Sequence, residues 1–345
     1  MRATIADIAK EAGVSKATVS RVLNERLEGV GAETRLRVKE VMERMDFEPC
    51  GVARGLATGK SLSVGLVIPD IADPFFPLLI RGIEDALRGE GYGLFLCDSV
   101  LDIEKEKEQL RMLLEKRVDG VILNSTMSDC DCQLDSLDRR DVPYVLLDRM
   151  IEARPQAAGV YADNRKGARM AVELLLGGGA RRLLFVNGPA ELSVSKLRRA
   201  GVEEAWRAGG LDPASVLFGE GDYSVESGSR AVEGFFGGSG TRRGACGLPF
   251  DAVFAANDRM AIGVLRSLKG RDIAVPGDVE IVGFDDIEAA RLVEPPLTTV
   301  AQPAFEMGRE SAILLLKLIE GKKPRRRKIV IEPELVVRGT TRPRQ

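Results

Sequence analysis

From Ser61 onward, short apolar runs alternate with amphipathic stretches, and that alternation narrows the chain to one kind of architecture. Residues 64–68, 92–97, 120–123 and 144–147 read as buried strands, while 76–88 and 103–116 carry apolar residues at helical spacing. Strands apolar at nearly every position, separated by helices, imply a parallel sheet covered on both faces. The cycle restarts after Asp163, with helices predicted over 164–176, 196–208, 227–236 and 259–268. Strands at 182–186, 216–218, 252–256 and 279–284 interleave with them. Two α/β halves in series predict two lobes, with a ligand held between them at the carboxyl ends of the strands. The segment 292–302 is read as crossing back, so that a helix over 304–319 rejoins the first lobe. A basic run at 322–328 is read as a solvated loop, because strands resume directly after it at 329–331 and 335–337.

The first sixty residues follow a different rule. Thr4 with Asp7 three residues later resembles a capping box, and Ile5, Ile8, Ala9 and Ala12 then share a helical face. Gly13 can take the left-handed conformation that stops a helix. Ser15 can cap a second helix whose inner face is Val19, Val22 and Leu23. A third helix over 32–44 offers Leu36, Val38, Val41, Met42 and Met45 to close a small core. Two short helices joined by a glycine-containing turn have the geometry of a helix-turn-helix. In such a motif the exposed start of the second helix enters the major groove, here Lys16, Ala17, Thr18, Ser20 and Arg21. Lys and Arg suit guanine edges or phosphates, and Ala can touch a thymine methyl.

Composition removes competing classes. With no histidine, imidazole metal sites and Ser-His-Asp or Cys-His nucleophile systems are unavailable. Five scattered cysteines lack zinc-site spacing and read as reduced thiols. Glycine-rich dinucleotide, phosphate-loop and nucleophile-elbow motifs are missing from the strand ends, so neither an enzyme nor a cofactor is expected. No apolar run approaches the ~20 residues of a membrane span, and the N-terminus lacks a signal-peptide core, so a cytoplasmic location is expected. The net charge of −2 conceals a slightly basic segment 1–60, which permits DNA binding.

Polar residues gather where strands end: Asp70, Asp73-Pro74-Phe75-Phe76, Asp148-Arg149, Asp163-Asn164, Asn257-Asp258 and Asp285-Asp286. Any one of these Asp residues could be a turn or cap; several strand ends in succession favour a shared cleft. Carboxylates and amides suit polyhydroxylated ligands, since Asp accepts hydrogen bonds and Asn both donates and accepts them.

The run from Thr4 to Ser15, TIADIAKEAGVS, followed by Thr18-Val19-Ser20-Arg21-Val22-Leu23-Asn24, closely resembles the headpiece of the lactose/galactose repressor (LacI/GalR) family. That resemblance implies that Lys16, Ala17, Ser20 and Arg21 face bases, while Thr4, Ser15, Thr18 and Asn24 position the backbone on phosphates. Segment 49–60 looks like the family's hinge helix, with Val52, Ala53 and Leu56 at the DNA and Leu56 wedged into the minor groove. Gly51 and Gly55 depart from a good helix by about 1 kcal/mol each.

The motifs DPFF at 73–76, AND at 256–258, GFDD at 283–286 and PLTTVAQP at 296–303 look like the family's periplasmic-binding-protein-like core. The fold implied is an all-α helix-turn-helix headpiece (1–48), a hinge (49–60) and an α/β two-lobed effector domain of doubly wound parallel sheets (61–345). Its first lobe is expected at about 61–161 plus 292–325, and its second at about 162–291 plus 326–340. By matching motif, Asp148, Arg198, Asn257, Asp285 and Gln302 fall where relatives hold the effector. Ser193-Val194-Ser195 with Arg198 is similar to the sugar-responsive branch, which brings in Ser195, and Phe75 and Tyr223 are candidates to stack on a sugar face. The implied protein is a homodimeric repressor of operator double-stranded DNA, released by a sugar or sugar derivative. A corepressor-dependent or phosphoprotein-regulated member of the family remains an alternative, as does a sugar-binding protein without a DNA role.

Overall fold

A computed structural model describes residues 3–23, 28–47, 59–126, 134–236 and 248–343. The chain divides into two compact units, Met1–Ser61 and Leu62–Gln345.

In the first unit, helices α1 (Ile5–Glu11), α2 (Lys16–Leu23) and α3 (Ala32–Arg44) enclose a core of Ile8, Ala9, Ala12, Val19, Val22, Val30, Val38 and Val41. Local chemistry sets the first two helix starts. The Thr4 backbone N–H donates to Asp7 Oδ2 at 2.9 Å, and the Asp7 N–H returns a bond to Thr4 Oγ1 at 3.3 Å, closing the capping box. That pairing holds the Asp7 carboxyl below its ordinary range. Ser15 Oγ accepts the Thr18 N–H at 3.1 Å, and Gly13 supplies the required positive φ of 63° in the turn. Leu36 departs from the reading above: it is 62% exposed. The buried face of α3 runs through Val38 and Val41, and Leu36 lies two residues, about 200°, away from Val38.

The second unit holds two six-stranded sheets of matching topology. In chain order its elements are β1 (Ser63–Ile68), α4 (Phe76–Gly89), β2 (Gly93–Asp98), α5 (Ile103–Glu115), β3 (Gly120–Leu123), α6 (Asp135–Asp138), β4 (Tyr144–Leu147) and β5 (Gly159–Ala162). Next come α7 (Asn164–Gly177), β6 (Leu183–Asn187), α8 (Ser193–Ala208), β7 (Leu217–Glu220), α9 (Val225–Glu233), β8 (Ala252–Ala255), α10 (Asp258–Lys269) and β9 (Glu280–Asp285). The chain ends through α11 (Ala289–Leu292), β10 (Thr298–Ala301), α12 (Ala304–Ile319), β11 (Lys328–Ile331) and β12 (Glu334–Val336). The first sheet has the order β11-β5-β4-β3-β1-β2 and the second β12-β10-β9-β8-β6-β7. All pairings are parallel except β10 with β12.

The sheets correct the expected lobe boundaries. β10 pairs with β9 and belongs to the second lobe, although the sequence reading places 292–325 in the first; β11 pairs with β5 in the first lobe, although that reading places 326–340 in the second. The reason is polar. Thr298 and Thr299 are fully buried, and their hydroxyls are satisfied by Thr341 and Asp258, so a stretch that reads as a connector is an interior strand. The lobes therefore join at three crossings, after β5, after β10 and after β11.

Helix pairs lock together through glycines. A Cβ on Gly82 of α4 would land on the Phe305 carbonyl oxygen of α12, and one on Gly308 of α12 would land on that of Leu79. Gly228 of α9 and Gly263 of α10 stand in the same relation. Such approach brings backbones close enough to exclude any larger residue.

Candidate functional site: a cleft between two sheets

Both sheets run in the order 2-1-3-4-5 from one edge, counting each lobe's parallel strands along the chain. In open α/β sheets, ligands sit outside the carboxyl ends of strands flanking the point where that order reverses. In the first lobe this point lies between β1 and β3, whose ends lead to Asp70 and to Asn124. In the second it lies between β6 and β8, whose ends lead to Asn187 and to Asn257. Residues beside both points line one cleft, with Asp70, Asp73, Phe75, Asp148, Arg149, Val194, Arg198, Tyr223, Asn257, Arg259, Asp285 and Gln302 in its walls.

Arg198 is the cation of the floor. Buried on α8, it donates from Nε to Asn164 Oδ1 at 2.8 Å and from a terminal nitrogen to the Ala256 carbonyl. Its guanidinium lies 3.9 Å above the Phe284 ring and 4.0 Å from Asp285 Oδ1. Packing, hydrogen bonds and charge thus fix it from four sides. Gln302 Nε2 donates to the same Asp285 oxygen at 2.7 Å. Across the cleft, Asp148 Oδ2 accepts from Asn124 Nδ2 at 3.3 Å, and Arg149 donates to the Ser125 carbonyl at 3.1 Å. Behind them, buried Glu106 takes bonds from Ser125 and Thr126 and holds that wall in place.

Burial raises the Asp285 carboxyl well above its ordinary value against the pull of Arg198, and burial likewise raises Asp148 against Arg149 and Arg198. Asp148, Tyr223, Asp285 and Asp286 all have positive φ (64°, 67°, 113° and 56°), a conformation that costs non-glycine residues of order 1–3 kcal/mol each.

The buried side-chain atoms without a hydrogen-bond partner, among the described residues, are Asn124 Oδ1, Asp148 Oδ1, Arg149 Nε and Gln302 Oε1. Asp148, Arg149 and Gln302 line the cleft directly, and Asn124 adjoins it through Asp148. Three acceptors and one donor are thus buried without a partner in the cleft wall or beside it.

Of the effector residues named from sequence, Phe75, Asp148, Arg198, Tyr223, Asn257, Asp285 and Gln302 line the cleft. Ser195 is fully buried behind it and holds the Tyr223 hydroxyl at 2.8 Å. Asn257 uses its carbonyl to cap α10 and its Nδ2 to hold the Tyr223 carbonyl at 3.1 Å. Arg149 is read from sequence only as one of the polar residues at strand ends, and Arg259 is not singled out. Arg259 had a local signal: a cation in the first turn of a helix opposes the macrodipole and needs a partner elsewhere. That partner is a pair of first-lobe carboxylates, Asp70 at 3.6 Å and Asp73 at 3.5 Å.

In the headpiece, Lys16, Ala17 and Arg21 are exposed on α2, Ser20 is half-buried, and the Thr18 hydroxyl shares a 2.9 Å bond with Ser15. Thr4 is exposed at the start of α1. Asn24, Val52, Ala53 and Leu56 lie outside the described residues. No helix among the described residues is long and apolar enough to cross a membrane, and no group of His, Cys, Asp or Glu among them could hold a metal ion.

Comparison with known proteins gives a consistent picture. Residues 4–50 match bacterial regulatory proteins of the lacI family, and residues 172–341 match a periplasmic binding protein-like domain. The chain is 35% identical to the HTH-type transcriptional regulator RegA of Clostridium saccharobutylicum, over 99% of this chain and 100% of that one. It is also 35% identical to the ribose operon repressor of Bacillus subtilis, over 99% of each chain. Among solved structures, the lac repressor dimer bound to operator and the anti-inducer ONPF superposes with a TM-score of 0.85 at 28% identity, covering 99% of both chains. A complex of the transcriptional regulator CelR with cellobiose gives 0.72 at 31% identity, covering 98% of this chain and 100% of that one.

Proposed function

Because this chain belongs to the lacI family of bacterial regulatory proteins, a DNA-binding transcription regulator and not an enzyme, we propose that it is a cytoplasmic, homodimeric repressor released from its operator by a sugar. The observation that carries the effector half is the set of buried, unpartnered polar atoms on Asn124, Asp148, Arg149 and Gln302, the last three being residues of the cleft wall. A buried polar group without a partner costs about 1–3 kcal/mol, and a polyol that donates to the three acceptors and accepts from Arg149 removes that cost. Phe75 and Tyr223 supply apolar faces for its ring.

The DNA half rests on α2, where a packed inner face leaves Lys16, Ala17 and Arg21 outward. Thr4, Ser15, Thr18 and Asn24 are assigned to phosphates, and Val52, Ala53 and Leu56 to the hinge at the operator centre. Two headpieces on one dimer make the second half-site contact intramolecular, which multiplies affinity. Exposed apolar side chains on β2 and just after it, Phe95, Leu96 and Val100, support pairing of two copies there. The effector biases the spacing of the lobes, and by linkage its effect on operator affinity equals the operator's effect on its own.

Operator selection from a random duplex pool, followed by gel shifts with and without a sugar panel, tests this reading. Release by a sugar supports it. Tightening by the same sugar establishes a corepressor, and failure to retain any duplex at low salt rejects the repressor.

A further inference from the structure

The cleft carries more acidic than basic side chains. Asp70, Asp73, Asp148, Asp222 and Asp285 face Arg149, Arg198 and Arg259. Each of these cations already has a partner, and among their donors Arg149 Nε is the buried one left without one. Arg198 is held by Asn164, Ala256, Phe284 and Asp285, and Arg149 by the Ser125 carbonyl with Glu106 behind it. Arg259 enters from the second residue of α10 in the second lobe and meets Asp70 and Asp73, which follow β1 in the first lobe. Those two carboxylates are themselves set by the loop: Asp70 Oδ1 accepts the Ala72 N–H at 2.8 Å, and Asp73 Oδ1 the Phe75 N–H at 3.0 Å.

We propose that Asp70 and Asp73, by holding Arg259 across the cleft, make it selective for uncharged polyols over their phosphate esters. The inference rests on the effector reading above and adds a charge rule and the residues that impose it. A hydroxyl can donate to Asp148 Oδ1 or Gln302 Oε1; a phosphate dianion cannot, and it brings its charge beside a clasp in which two carboxylates face one guanidinium, with Arg149 Nε the one guanidinium donor left open to it. At about 5 Å and an effective dielectric near 20, one such like-charge pair corresponds to a penalty on the order of 100-fold in affinity.

The test is calorimetric titration of the full-length chain with matched pairs: pentoses, hexoses and disaccharides, each beside its monophosphate. The expected result is a free sugar that binds at least ~100-fold more tightly than its phosphate. Neutralising the clasp as Asp70→Asn with Asp73→Asn keeps the loop acceptors and releases Arg259, so the ratio should fall by about tenfold or more. Arg259→Gln should move the ratio the other way, because it leaves both carboxylates facing the ligand; this variant decides the matter if the double variant is poorly folded. A phosphate that binds as well as its free sugar, or a ratio indifferent to these substitutions, overturns the inference while leaving a sugar-responsive repressor intact. Silence across the whole panel rejects the effector reading itself, and the charge rule with it.

Discussion

Gln302 and Asp285 meet at 2.7 Å, side-chain amide to carboxylate, where the chain leaves the second sheet to cross to the first lobe. The bond orients an aspartate that also faces Arg198 at 4.0 Å. Asp285→Ala is expected to leave operator binding in place and to weaken effector affinity by about 10- to 100-fold, the size of a lost charge-assisted hydrogen bond. A gel-shift titration with effector reads both. Loss of operator binding together with an unfolded body would show that Asp285 is structural rather than a ligand contact.

On the DNA side, Arg21 is exposed on α2 while its neighbours Val19 and Val22 are buried. Arg21→Ala should cost ~1–3 kcal/mol of operator binding and relax preference at the base pair it reads. Fluorescence anisotropy on the selected operator and on single-base variants measures both, and equal affinity on every sequence would remove α2 from the groove. Leu56→Gly should raise the operator dissociation constant without altering effector affinity in the free protein.

Burial lifts the Asp258 carboxyl from 3.8 to about 7, although Thr299 Oγ1 and the Ile287 N–H both donate to it. A carboxyl raised in the folded state binds its proton more tightly there than when unfolded. Its stabilisation is therefore complete below about pH 4 and lost as pH rises towards 7. Asp258→Asn should flatten that part of the profile for the body, at the expense of one acceptor. Urea melts of variant and parent between pH 4.5 and 7.5, about the window bounded by the two values, check the slope. Parallel profiles would mean that Asp258 is already ionised throughout.

The α4–α12 contact offers a purely structural test. Gly308→Ala places a methyl against the Leu79 carbonyl, so the helices must separate, and a cost of ~1–3 kcal/mol or more is expected. Thermal unfolding of the body should show it, whereas Gly89→Ala at the end of α4, with open space around it, should be near neutral. A Gly308→Ala protein as stable as the parent would show that the helix pair can slide without loss.

The headpiece was readable because its determinants are local: Thr4 with Asp7, Gly13, and Ser15 with Thr18 act within a few residues of one another. The strands β1, β3, β8 and β9 were equally visible as apolar runs. What sequence reasoning missed depends on distant partners. β10 hides because Thr298 and Thr299 look like surface residues until Thr341 and Asp258 satisfy them. β5, Gly159-Val160-Tyr161-Ala162, escaped because a single β-branched residue among four gives a weaker strand signal than the Val-Ile-Leu run of β3. Motif resemblance pointed to the residues that line the cleft, but it did not single out Arg259, whose partners lie nearly two hundred positions away. Leu36 was misplaced because any leucine on a short helix fits a core when the helix phase is read loosely.

Three separate runs of backbone tie the lobes together, and one of them begins at Gln302. Three tethers forbid free tumbling of one lobe against the other. A molecule that engages Gln302 would therefore touch one of the tethers directly, with no relay of intervening side chains.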